Sequence, residues 1–144
     1  HVDFMGPYIQ RPWFGVRDKV FTKLQRMAGY DVLIYPGLDS RLKTTEEEVL
    51  ANAEACLCEM GGLKPMLPVP AGSQWAGSLK NLYELLGTAD FGIVPGRAVF
   101  GHPLGPKGGA ASLRQGWEAV QAGKTLEEYA RDHQELRLAI EMHT

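Results

Sequence analysis

Apolar positions along this 144-residue chain alternate between a helical period and short unbroken runs. From Val16 to Met27, the residues Val16, Val20, Phe21, Leu24 and Met27 fall on one helical stripe, expected to face a core, and Gly29 follows as a stop signal. "DVLIYPG" (31–37) is a short apolar run closed by Pro-Gly, with the length and composition of a buried strand of a parallel sheet. "TTEEEVLANAEACLCEMGG" then predicts a helix. Thr45 and Glu48 form a capping signal, acids fill the first turn, and Val49, Leu50, Ala53, Leu57 and Met60 make the stripe ahead of Gly61-Gly62.

The alternation continues. "KPMLPVPAG" (64–72) reads as a second strand, "GSLKNLYELLG" (77–87) as a helix with Leu79, Leu82, Tyr83 and Leu86 inward, and "DFGIVPG" (90–96) as a third buried strand. A helix around Leu113, Trp117 and Val120 follows. A last one, capped by Thr125 with Glu128, carries Leu126, Tyr129, Ala130, Leu136 and Ile140. Helices and strands in this order predict right-handed βαβ units on a parallel sheet, in one domain without repeats or low-complexity linkers.

Composition narrows the function classes. A formal net charge of −2, with no basic stripe interleaved with aromatics, argues against nucleic acid as a partner. No apolar run approaches a membrane span, and no signal peptide precedes the first domain-like segment. Cys56 and Cys58, two apart on a helix, face different ways, which fits two reduced thiols in a cytoplasmic protein better than a disulfide or shared metal. The chain opens on His1 without an initiating methionine, which suggests a processed or excised piece.

Ligands of α/β sheets bind beyond the carboxyl ends of the strands. Those ends here are "YPGLDSR", "PAGSQW" and "PGRAVFGHP". Gly72 with Ser73, and Gly96 with Arg97, present backbone N–H groups suited to an oxyanion or phosphate, and Arg41 is placed to act as a charge clamp. The plainer reading is that glycine after a strand is ordinary turn chemistry and a loop arginine a solvated charge. Three such loops on one side of a sheet balance the two readings. His133 and His143, on the charge-rich last helix, are expected to be solvated, and His102 to satisfy backbone groups within its Gly-His-Pro turn. No His/Cys/Asp/Glu cluster has metal-ligand spacing, and neither a nucleophile elbow nor a P-loop occurs.

"PVPAGSQW", followed by "FGIVPGRAVFGHPLGPKGGAASLRQGWEA", resembles the C-terminal part of the RuBisCO large-subunit superfamily, and "VFTKLQRMAGYD" extends the likeness over nearly the whole chain. The resemblance implies a fold: residues 1–144 as the C-terminal section, about three strands and their helices, of a TIM (β/α)8 barrel. It also exposes departures. Ile34 stands where carboxylases carry a phosphate-gripping histidine, and Val2 where they carry a phosphate-binding arginine. Ala71 replaces a serine, Ser73 the second glycine of the seventh strand end, and Arg97 and Ala98 fall among the eighth-strand glycines. Arg41 falls on or near the flexible-loop lysine.

These differences imply a RuBisCO-like protein of the non-carboxylating kind. Such a parent is expected to be a magnesium-dependent enolase, isomerase or decarboxylase that acts on a sugar phosphate or sugar-acid phosphate through an enediolate. By the same analogy Gly72, Ser73, Gly96 and Arg97 hold an anionic end of substrate, Arg41 closes over it, and His1 polarises or shuttles a proton. The family's metal-binding lysine and Asp-Glu pair have no counterpart, so no metal ligand and no turnover are expected of the piece alone. Homo-oligomers, dimers or larger, are expected as well. Two alternatives stay open: a non-catalytic module that oligomerises or binds anions, and an unrelated doubly wound phosphate-binding domain. A strand order other than sequential would mark the second.

Overall fold

The computed structural model describes residues 15–38, 40 and 42–143. They form two compact units, one running up to Gly72 and taking in Thr88–Val94, the other made of Ser73–Gly87 and the chain from Pro95 onward.

In the first unit, α1 (Asp18–Met27) leads to β1 (Val32–Pro36), α2 (Glu46–Leu57) and β2 (Leu67–Ala71). β1 and β2 pair in parallel, with Val32 opposite Leu67 and Pro36 opposite Ala71. Thr45 caps α2 as expected: its hydroxyl accepts from the Glu48 N–H, and the Glu48 carboxylate accepts from the Thr45 N–H. Leu33 and Tyr35 of β1 and Val49, Ala53 and Cys56 of α2 are buried and form the core.

The expected third strand is reduced to one parallel bridge, Val94 to Ala71, and one hydrogen bond from the Gly92 N–H to the Pro68 carbonyl (2.9 Å). The cause lies in β2. Leu67 turns its N–H to Asp31 on the β1 side, so alternate residues 68 and 70 face the 90–94 segment. Both are prolines and have no N–H to give. Only carbonyls remain on that side, and a regular ladder cannot form. The order is still sequential, β1, β2, then 90–94, as a barrel requires and as the doubly wound alternative does not.

The stripe of α1 also departs from expectation. Val16, Val20, Leu24 and Met27 are 41–65% exposed, while Thr22 and Arg26 are buried. The polar face was taken inward because it has fixed partners there. The Thr22 hydroxyl donates to Asn52 Oδ1 (2.7 Å). The Arg26 guanidinium donates to the carbonyls of Ala55, Cys58, Leu63 and Lys64, which tie off the C-terminal end of α2.

The second unit is helical: α3 (Ala76–Leu86), α4 (Gly96–Phe100), α5 (Gly105–Gln121), α6 (Leu126–Ala130) and α7 (Gln134–His143). α3 ends on Gly87 in the left-handed conformation (φ +65). Ala76, Ala130 and Leu136 make the core, packed by Trp75, Leu126, Tyr129 and Ile140. The face of α5 turned inward is the small one, Gly108, Gly109, Ser112, Gly116 and Ala119, whereas Leu113, Trp117 and Val120 are only half-buried. A Cβ on Gly116 would lie 2.8 Å from that of Ala76, so α3 and α5 approach closely only because it is absent. The last expected helix is two, broken at 131–133, where the His133 N–H turns back to the Ala130 carbonyl.

Candidate functional site

The strand ends carry the candidate chemistry. In the first unit the β1 and β2 ends are tied by the Gly37 N–H donating to the Ala71 carbonyl (2.7 Å). The loop after β1 turns tightly, with the Lys43 N–H on the Ser40 carbonyl (3.0 Å) and the Ser40 and Thr44 hydroxyls 2.9 Å apart. Gly72, at φ +98, lies against that loop. A Cβ there would come within 2.9 Å of Ser40 Cβ and 3.1 Å of Ser40 Cα, so backbone conformation and space both call for glycine. Arg41, in the same loop, lies outside the described residues, as do His1 and Val2.

A cavity of about 360 Å³ opens where α1 and α2 begin, lined by Arg17, Lys19, Asp18, Glu47 and Glu48 among others. Its two cations are offset by three carboxylates, which makes it a poor seat for an anion. Ile34, at the position where carboxylases have histidine, is half-buried in β1 opposite Val69.

In the second unit Ser73 is exposed at φ +52, a left-handed conformation unusual for a residue with a side chain. Gly96 opens the five-residue α4, with open space where a Cβ would stand, and Arg97 beside it is exposed. The expected set is thus divided. Ser73, Gly96 and Arg97 belong to the second unit and Gly72 ends the first.

His102 is a turn residue, as its sequence setting implies. Its Nδ1 accepts from the Leu104 N–H (3.1 Å), which leaves Nε2 to carry the proton and donate to the Glu135 carbonyl (3.0 Å). Neighbouring Gln115 serves the same end of α7: it accepts from the Leu136 N–H and donates to the Glu135 carboxylate. That bond holds the Glu135 pKa below the usual carboxylate range. Two other histidines are less solvated than their charged helix suggested. His133 stacks on Tyr129, its Nδ1–H on the Tyr129 carbonyl. His143 stacks on the indole of Trp75, with ring centroids 4.6 Å apart and planes 16° from parallel. Burial, and secondarily Arg97, lower its pKa. Trp75 closes the "PVPAGSQW" stretch and His143 stands almost seventy residues on, so only the fold pairs them.

Cys56 is buried, its thiol pushed up to about 12 by desolvation, and Cys58 is exposed; both are free. Among the described residues no three His, Cys, Asp or Glu side chains gather to hold a metal ion, and no helix is long and apolar enough to cross a membrane.

Parallel strands in sequential order, joined by helices, with glycine-bearing loops at their carboxyl ends, define the C-terminal section of a TIM (β/α)8 barrel. The family described as ribulose bisphosphate carboxylase large chain, catalytic domain, matches residues 1–143, and the chain belongs to that family. A ribulose bisphosphate carboxylase-like protein of Allochromatium vinosum is 61% identical over 140 residues, which is 97% of this chain and 31% of the relative. The crystal structure of a rubisco-like protein (MtnW) from Alicyclobacillus acidocaldarius superposes with a TM-score of 0.88 at 30% identity, covering 98% of this chain and 35% of that one. The octameric ribulose-1,5-bisphosphate carboxylase/oxygenase of Pyrococcus horikoshii does so at 0.88 and 27%, covering 97% and 34%. The chain therefore spans about a third of the length of the proteins it matches.

Proposed function

We propose that the chain is the C-terminal part of a RuBisCO-like lyase or isomerase that forms an enediolate from a sugar phosphate or sugar-acid phosphate, and that it does not carboxylate ribulose bisphosphate. The observation that carries this reading is the altered strand end. Ser73, with its left-handed backbone, and exposed Arg97 stand where carboxylases place bare glycines, and each brings a side chain to the strand end. Within the second unit, backbone N–H groups at 73 and 96–97 would hold the anionic end of substrate, and the Arg97 guanidinium would add charge and bulk. Arg41 would close from its loop, and His1 would polarise or transfer a proton.

In the full-length protein Mg2+ would stabilise the enediolate charge. The described residues offer no ligand cluster for it, so its ligands would come from the rest of the barrel and no step is assigned to it here. The chain alone would then be inactive. We place the protein in the cytoplasm, which two free thiols favour, and expect a homo-oligomer, as the matched Pyrococcus enzyme is octameric. The exposed stripe of α1 favours a second reading for the isolated chain, self-association without catalysis.

Magnesium-dependent exchange of solvent deuterium into ketose and sugar-acid phosphates tests both. Full-length protein should exchange and the 144-residue chain should not. Exchange by the chain alone, or carboxylation of ribulose bisphosphate by the full-length protein, would overturn the proposal.

A further inference from the structure

Trp75 is fixed from several directions. Its N–H donates to the Ser78 hydroxyl (3.2 Å), and its carbonyl accepts from the Ser78 N–H (3.0 Å). Its indole lies over Gly77, where any Cβ would collide with the ring. The His143 imidazole stacks on it from the last turn of α7. Trp75 stands two residues after Ser73, whose left-handed backbone needs support from its surroundings.

His143 makes an unusual partner. Its Nε2 is buried and makes no hydrogen bond, while its ring face lies against the indole. Arg97 lies near enough to act on its charge. The end of α7 thus meets the Ser73–Trp75 segment at the indole, within the unit that carries the proposed anion-binding residues.

From this geometry we infer that His143 is a positioning residue for the anion site: stacked on Trp75, it fixes the segment from which Ser73 presents its N–H to the anionic end of the substrate. The role rests on the proposed function, and the two can be separated by experiment. The probe is sulfate, titrated calorimetrically into full-length wild-type protein and the variants R97A, H143A and H143F. R97A should weaken sulfate binding at least tenfold. H143A should weaken it three- to tenfold, while H143F, which keeps a stacking ring, should stay within twofold of wild type. Thermal midpoints show whether the variants remain folded.

If R97A loses binding and H143A keeps it, or if H143F is as weak as H143A, the positioning role is overturned and the anion site stands. If wild type fails to bind sulfate, or R97A binds it undiminished, both fall. A second signal reads the clamp directly: the Trp75 emission, taken as wild type minus W75F, should shift in H143A and return in H143F. An unchanged emission in H143A overturns the clamp whatever the sulfate result.

Discussion

The two units solve the same problem, burying amphipathic helices, by different means. In the second, several polar groups that go inside are answered by neighbours, His102 and Gln115 at the start of α7 and the Ser112 hydroxyl on the Gly109 carbonyl (2.8 Å), while His143 Nε2 makes no hydrogen bond. Its core is Ala76, Ala130 and Leu136, with Phe100 and Leu104 left 76% and 47% exposed. In the first, α1 buries an arginine and leaves Val16, Val20, Leu24 and Met27 exposed, while Val32 and Leu67 at the start of the strands are 50% and 40% exposed. The difference teaches that α1 is seated by its polar partners, which leaves an apolar stripe on the first unit for more protein to cover, whereas the second unit keeps an apolar core and leaves Phe100 and Leu104 outside it.

The sharpest way to break the contrast is R26M. It would leave four carbonyls without their shared donor, and with each unsatisfied group worth about 1–3 kcal/mol, a loss of roughly 3 kcal/mol or more is expected in urea unfolding. A small effect would mean that α1 is not anchored by its polar face. On the other side, G109A should cost about 1–3 kcal/mol, since the new Cβ would press on the Val99 carbonyl at 2.5 Å. The same assay reads it, and a neutral result would show that α4 can back away.

Acid should act on the second unit through His143. Its folded pKa is lowered by burial first and by Arg97 second, so the unfolded chain takes up the proton more readily. Stability should hold above about pH 6.5, the ordinary histidine value, and decline as the pH falls below it. H143F should flatten that slope in thermal melts across the range. The smallest expected effect on stability is L24K, within about 0.5 kcal/mol for an exposed position. Its value lies elsewhere: sedimentation of the isolated chain should show less self-association. An unchanged association state would place the sticky surface away from α1.

What the sequence made legible follows from where each signal lives. Caps are local, so Thr45–Glu48 and Thr125–Glu128 announced their helices and appear as read. The short apolar run at 31–37 and the core of the run at 64–72 likewise became the two paired strands. The third strand failed because its own residues were suitable and its neighbour's were not: the decisive signal was Pro68 and Pro70, some twenty residues upstream. Periodicity located the stripe of α1 but could not say which face has partners, because Arg26 reads as a solvated cation until the carbonyls around it are known. The candidate site was half legible. Gly72 and Ser73 were legible as strand-end positions but not as the left-handed backbone they adopt, and the stacking of His143 on Trp75 joins residues too far apart for any spacing rule.

The prolines of β2 carry one more consequence, for misassembly. An open sheet edge recruits foreign strands by offering donors and acceptors in alternation. On the side facing 90–94, β2 offers acceptors alone, so strand addition there would leave half its bonds unmade. β1 has no proline before Pro36, and its far edge keeps both kinds of group. Any aggregate of this piece should therefore grow in one direction only, from β1, the edge where an intact barrel would seat its preceding strand.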